Sequence, residues 1–247
     1  MFLFAAQQPM SLSDIAVVMF CSGAGFTLQG AVGFGMGMLS SPIFILIDPK
    51  LVPGPVLAAT MLFTMALTVR ERRAIDLSGL RWAVIGRIAG TFPAAALLVV
   101  LPADKLSLLF GGIVLLAVAL SVSGLYVAPR PLSLLTAGVV SGIMGTVAAI
   151  GGPPLALLYQ RSSGARVRGT LSSLFLVGTV ISVLSLMLVG RFGREELRLT
   201  CLLLPGAAFG FLVSRRFAVV LDGGYTRPAV LTVAAVAGLI VVFQYFT

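Results

Sequence analysis

Two glycine patches hold the strongest chemical signal in the chain. The first runs Gly30-Ala31-Val32-Gly33-Phe34-Gly35-Met36-Gly37 and continues into Ser40-Ser41-Pro42. The second runs Gly142-Ile143-Met144-Gly145-Thr146 and resumes at Gly151-Gly152-Pro153-Pro154. Glycine loosens a helix and proline breaks it, and both free backbone groups from the helical ladder. Inside a bilayer, freed groups are tolerated only where they line a cavity or pack within protein. A helix that restarts after such a break aims its unpaired N–H groups and the positive end of its dipole into the cavity. That chemistry suits a small anion and needs no charged side chain. Gln29, Ser40, Ser41, Thr60, Ser172 and Ser173 lie near the patches and offer further polar groups. A plainer reading exists for each feature. Gly33 and Gly37 also form a GxxxG pair of the kind that lets helices touch, and hydroxyls in membrane helices often bond within or between helices. Two patches at corresponding positions of the chain favour the site reading. The expected substrate-binding set is Gln29, Gly33, Phe34, Gly35, Gly37, Ser40, Ser41, Thr60, Arg87, Gly145, Thr146, Gly151, Gly152, Pro153, Ser172 and Ser173.

Arg87 belongs to this set because it is a charge well inside an apolar run. Charges at such depth are functional candidates. The competing expectation, and the favoured one, is that its long side chain snorkels back to the interface near Arg81. Asp14, Asp48, Asp76, Asp104 and Asp222 all fall at the ends of apolar runs, so no deep carboxylate is available as a proton relay. The chain has no histidine, which removes His-based catalysis and His-ligated metal or haem. Its two cysteines, Cys21 and Cys201, lie in apolar segments and read as isolated buried thiols in preference to a disulfide. No metal spacing, Walker sequence, nucleophile elbow or carboxylate pair is present, so neither an enzyme nor an ATP-driven pump is expected, and no cofactor.

The elements that position these residues follow from composition. The 247 residues are 59% apolar and 10% charged, with a mean hydropathy of +1.11. Soluble domains run at about 45–50% apolar and about 25% charged. The class is a polytopic membrane protein. The net charge of +9 sits in short breaks between apolar runs, where it orients helices rather than binding nucleic acid. Apolar runs cover 15–47, 51–69, 82–103, 106–129, 131–160, 169–190, 199–214 and 228–247. A spanning helix needs about 20 residues. The runs 15–47 and 131–160 are too long for one span and short for two, and each carries a glycine patch. Aligning them pairs Gly30 with Gly142, Gly33 with Gly145, Pro42 with Pro154, Thr60 with Ser172 and Phe63 with Phe175. Duplicated halves are therefore expected at 10–128 and 131–247, each a broken-helix hairpin plus three spans. Lys and Arg mark the cytoplasmic side. If each long run turns back on itself, the halves are inverted, and all but Lys50, Lys105, Arg191, Arg194 and Arg198 of the 17 basic residues share one side. If each is a single span, the bias disappears. The inverted arrangement is preferred, with both termini outside the cytoplasm. Met1 to Pro9 has no basic segment, so no cleaved signal peptide is expected.

The stretch Gly30 to Pro42, the following Ala58-Ala59-Thr60, and the second-half Gly142 to Thr146 with Ile150 to Pro154 resemble the TauE/SafE family of sulfite and organosulfonate exporters. The second patch departs from the expected pattern in carrying Ala148-Ala149. The resemblance implies a bacterial-type inner-membrane transporter that exports small sulfur-containing anions such as sulfite or sulfonates. The expected partners are a small anionic substrate and the lipid bilayer, with coupled protons and a homo-oligomer as open options. An anion channel and a membrane scaffold without substrate are the alternatives.

Overall fold

The computed structural model describes residues 10–221 and 239–240. The regular elements from Leu12 to Leu221 are helical: α1 (Leu12–Val32), α2 (Met36–Ile47), α3 (Gly54–Arg70), α4 (Leu77–Val100), α5 (Ala103–Val122), α6 (Pro131–Ala148), α7 (Gly152–Tyr159), α8 (Gly164–Leu188) and α9 (Arg194–Leu221). Among the described residues, six helical segments are long and apolar enough to cross a membrane. The chain is an all-α, multi-pass membrane protein. Most of the expected run at 228–247, together with Asp222 and Arg227, lies outside the described residues.

The two long apolar runs are both helix–break–helix units. In the first, α1 ends at Gly33 with φ 101°, and α2 starts after Gly35 with φ 130°. Both angles lie where a Cβ would strain the backbone. In the second, α6 ends at Ala149 with φ 58°, and α7 starts at Gly152. This corrects the expected register. Pairing Gly33 with Gly145 puts the second break at Gly145, but the helix runs about one more turn. The reason is that the glycines of α6 are committed elsewhere. A Cβ on Gly138 or Gly142 would meet backbone carbonyls of α4, and one on Gly145 would meet the Arg87 guanidinium. The left-handed turn therefore falls on Ala149.

Helix pairing reaches across the chain. On α4, Gly86 and Gly90 lie against the Leu135 and Val139 carbonyls of α6, while Gly138 and Gly142 of α6 lie against the Ala83 and Arg87 carbonyls. On α9, Gly206 and Gly210 lie against Ser22, Gly23, Phe26 and Thr27 of α1. In lipid no hydrophobic gain draws helices together, so such backbone approach is what holds them. Phe26, Met36, Phe44, Leu51 and Met144 belong to one buried core shared by the two broken runs and their neighbours.

The two ends of the bundle are tied differently. At the start of α3, Lys50 approaches Glu195 at 4.0 Å, and both are exposed. Past the other end of α3, Glu71 accepts from Arg70 Nε at 3.2 Å and Arg168 Nε at 3.4 Å. Arg70 also donates to the Gly30 carbonyl at 2.9 Å, and Arg168 to the Ala31 carbonyl at 3.3 Å. These are last-turn carbonyls of α1, where cations are favoured. Beside them Asp76 pairs with Arg166 at 3.1 Å.

Candidate functional site

A cavity of about 30 Å³ lies between the two breaks. That is roughly the room of one or two water molecules. Its walls come from α1 and its break (Gln29, Phe34, Gly35), the start of α2 (Gly37, Met38) and α3 (Leu57, Thr60). The second half of the wall is Gly145, Ala149, Ile150, Gly151, Gly152 and Pro153, with Phe175 and Thr179 from α8 and Arg87 from α4. The breaks interlock: a Cβ on Gly37 would overlap the Ala149 carbonyl, and one on Gly152 would strike the Phe34 ring. The first turn of α2 thus faces the second break. The N–H groups of Met36, Gly37 and Met38 precede the first intrahelical bond, from Leu39 N–H to the Gly35 carbonyl, and have no partner within the helix. The start of α7 contributes less, because Pro153 and Pro154 have no N–H.

Arg87 is the charged side chain of this wall, and it is only 2% exposed. It does not snorkel, which corrects the favoured expectation. Close approach of α4 to α6 directs it inward. Its Nη1 donates to the Ser141 carbonyl at 3.0 Å and to Ser141 Oγ at 2.6 Å. Ser141 Oγ in turn donates to the Gly151 carbonyl at 2.6 Å, tying the guanidinium to the second break. The guanidinium lies 5.6 Å from the centre of the Phe175 ring, in cation–π range. Its buried Nε has no hydrogen-bond partner. Gly178 leaves the space that it fills, since a Cβ there would overlap the guanidinium. No carboxylate lies within ion-pair distance of Arg87 among the described residues.

Of the residues expected from sequence, the cavity brings together Gln29, Phe34, Gly35, Gly37, Thr60, Arg87, Gly145, Gly151, Gly152 and Pro153. Six others are not on its wall. Gly33 packs against the backbone of Arg168. Ser40 Oγ donates to the Cys21 carbonyl within the α1–α2 unit, and Ser41 is buried without a partner. Ser172 and Ser173 donate to the carbonyls of Arg168 and Gly169, one turn back in α8. Both lie well inside α8, which starts at Gly164. Thr146 joins a buried hydroxyl chain with Ser182 at 2.8 Å and Thr91 at 3.3 Å. Sequence reasoning missed Ser141, Phe175, Gly178 and Thr179 as parts of the site. Ser141 stands one helical turn before Gly145, a spacing that places both on one face. The other three depend on how α8 packs, which local spacing does not reveal.

The family model for the sulfite exporter TauE/SafE family matches residues 16–241. The chain belongs to this family. The TauE/SafE assignment makes it a membrane transporter rather than an enzyme, within a family of sulfite exporters. No curated protein and no solved structure matches the chain.

Proposed function

We propose that this TauE/SafE protein is a secondary transporter that exports a small sulfur oxyanion, sulfite or a short organosulfonate, across the inner membrane. The anion sits in the cavity between the breaks. The observation that carries this reading is a buried guanidinium without a counter-charge, set where the two breaks meet. A buried charge needs a partner, and an anion in the cavity supplies it. The unpaired N–H groups at the start of α2 face the anion's oxygens, and Gln29, Thr60 and Thr179 line the remaining wall. The cycle is alternating access, in which halves 10–128 and 131–247 rock about the interlocked breaks. Both termini face away from the cytoplasm. The halves are inverted repeats. Their pattern of contacts supports two related halves, because α4 packs on the broken helix of the second half and α9 on that of the first. Transporters of that plan place their sites at facing half-helices near the midplane. The cavity wall carries no carboxylate, so a coupled proton travels on the substrate.

The test is flux in liposomes that contain the purified protein, with labelled sulfite, sulfoacetate and sulfate, with and without a proton gradient. Saturable flux that shows counterflow is expected for at least one sulfur oxyanion. Flux without saturation or counterflow would replace the carrier with a channel. Absence of flux from folded protein for all three would remove sulfur oxyanions as the substrate.

A further inference from the structure

The charge balance of the cavity constrains the transport cycle, given that the cavity is the anion site. A guanidinium does not lose its proton in proteins. Both hydrogen bonds of Arg87 go to Ser141, a neutral residue, and its Nε is unpartnered. The rest of the wall is glycine, apolar side chains and the neutral polar groups of Gln29, Thr60 and Thr179. The cavity therefore carries one positive charge whether it is loaded or empty. A carrier must close its site to both sides while it turns. With a monoanion aboard, the closed site is neutral. Empty, it is an unpaired cation deep in the membrane, where such a charge is expensive. A dianion would leave one negative charge uncompensated.

We propose that the protein is an obligatory anion exchanger. It reorients only when a small monoanion rests on Arg87, so each exported anion is matched by an anion carried back. Two features define the returning ion. It is singly charged, because one guanidinium is the whole charge of the site. It is small, because the interlocked breaks bring the cavity walls close together. Chloride and the protonated sulfite monoanion both fit that chemistry, whereas gluconate is too large.

The experiment is uptake of labelled sulfite into liposomes loaded with unlabelled sulfite, chloride or gluconate. Valinomycin and equal potassium hold the voltage at zero, so charge build-up does not limit net flux. Uptake should be at least tenfold faster with sulfite inside than with gluconate. Fast uptake with chloride inside would identify a simple halide as a return ion. Uptake as slow as with gluconate would restrict the return ion to sulfur oxyanions, with exchange intact. In Arg87→Gln, which loses the charge that holds the anion, uptake should fall with every load, and what remains should not depend on the internal anion, because the empty site no longer holds a bare charge. Arg87→Lys keeps the charge and should keep the dependence at a lower rate. Equal wild-type rates for all three loads would overturn obligatory exchange while leaving the anion carrier standing. Absence of uptake with all three loads would remove the anion site itself, and the exchange proposal with it.

Discussion

Arg87 is held by two small residues, and both offer tests that spare the charge itself. Ser141 accepts from the guanidinium and donates to the Gly151 carbonyl, so it sets the distance between the charge and the break. Ser141→Ala removes both of these bonds and leaves the guanidinium held only by the Ser141 carbonyl. Hydrogen bonds to charged groups contribute about 1.5–3 kcal/mol, so anion affinity should fall about tenfold or more, with expression unchanged. The concentration dependence of sulfite flux measures this, and unchanged half-saturation would make Ser141 a packing residue. Gly178→Ala should act more harshly, because its Cβ occupies the space of the guanidinium. Transport should be nearly lost in a variant that still folds in detergent. Asp76 gives a pH signature outside the spans. Bonding to Ser78, with help from Arg166, holds its carboxyl below the usual carboxylate range despite partial burial. A carboxylate with a lowered folded pKa stabilises the fold above its unfolded pKa, about 3.9. That contribution disappears as pH falls through the folded value. The unfolding temperature of Asp76→Asn should therefore lie below wild type at pH 7, and the gap should close as the pH drops below about 4. A constant gap across that range would exclude the ionised form as the cause. At this scale the sequence was only partly legible. Arg87 stood out as a deep charge, but its direction depends on how closely α4 approaches α6, and no local pattern encodes that. Ser172 and Ser173 were misplaced because a hydroxyl near the right level of the membrane can bond its own helix instead.

The break is the element that both halves share, and its two copies are built differently. In the first, glycine takes the left-handed positions at Gly33 and Gly35. In the second, Ala149 takes that role with φ 58°. An L-residue there costs about 1–2 kcal/mol. Ala149→Gly should therefore raise the unfolding temperature, or at least not lower it. Gly37→Ala should do the opposite, since its Cβ would run into the Ala149 carbonyl and a backbone must shift. Overpacking of this kind costs about 1–3 kcal/mol. Thermal unfolding of both variants in detergent compares the two, and a stable Gly37→Ala would mean that the breaks do not interlock. The existence of the breaks was plain from run length and glycine content. Their register was not, because glycine serves two purposes that look alike in sequence. Gly33 and Gly35 turn the chain, whereas Gly138, Gly142 and Gly145 admit neighbouring groups.

For the whole molecule, the decisive question is which loops share a side of the membrane. Basic residues gather at one end of the bundle in the sequence reading, and the contacts give that end a structure. Arg70, Glu71 and Arg168 join the far end of α3 to the start of α8 and fasten the last carbonyls of α1. Lys50 stands at the other end of α3, beside Glu195. Position 50 and position 164 are thus at opposite ends, as a turned-back second run requires, because α3, α4 and α5 are the single spans between them. If the second run were a single span, they would share a side. The prediction is made in a chain with Cys21 and Cys201 replaced by serine. Lys50→Cys should react with a membrane-impermeant thiol reagent added to intact cells. Gly164→Cys should react only after the membrane is opened. The same cells separate topology from closure. Glu71→Gln removes the acceptor shared by two arginines, so it should loosen that end and increase labelling at 164 in opened membranes without changing its side. Reaction of both positions from outside would refute the turned-back second run, and with it the inverted halves on which the rocking cycle depends.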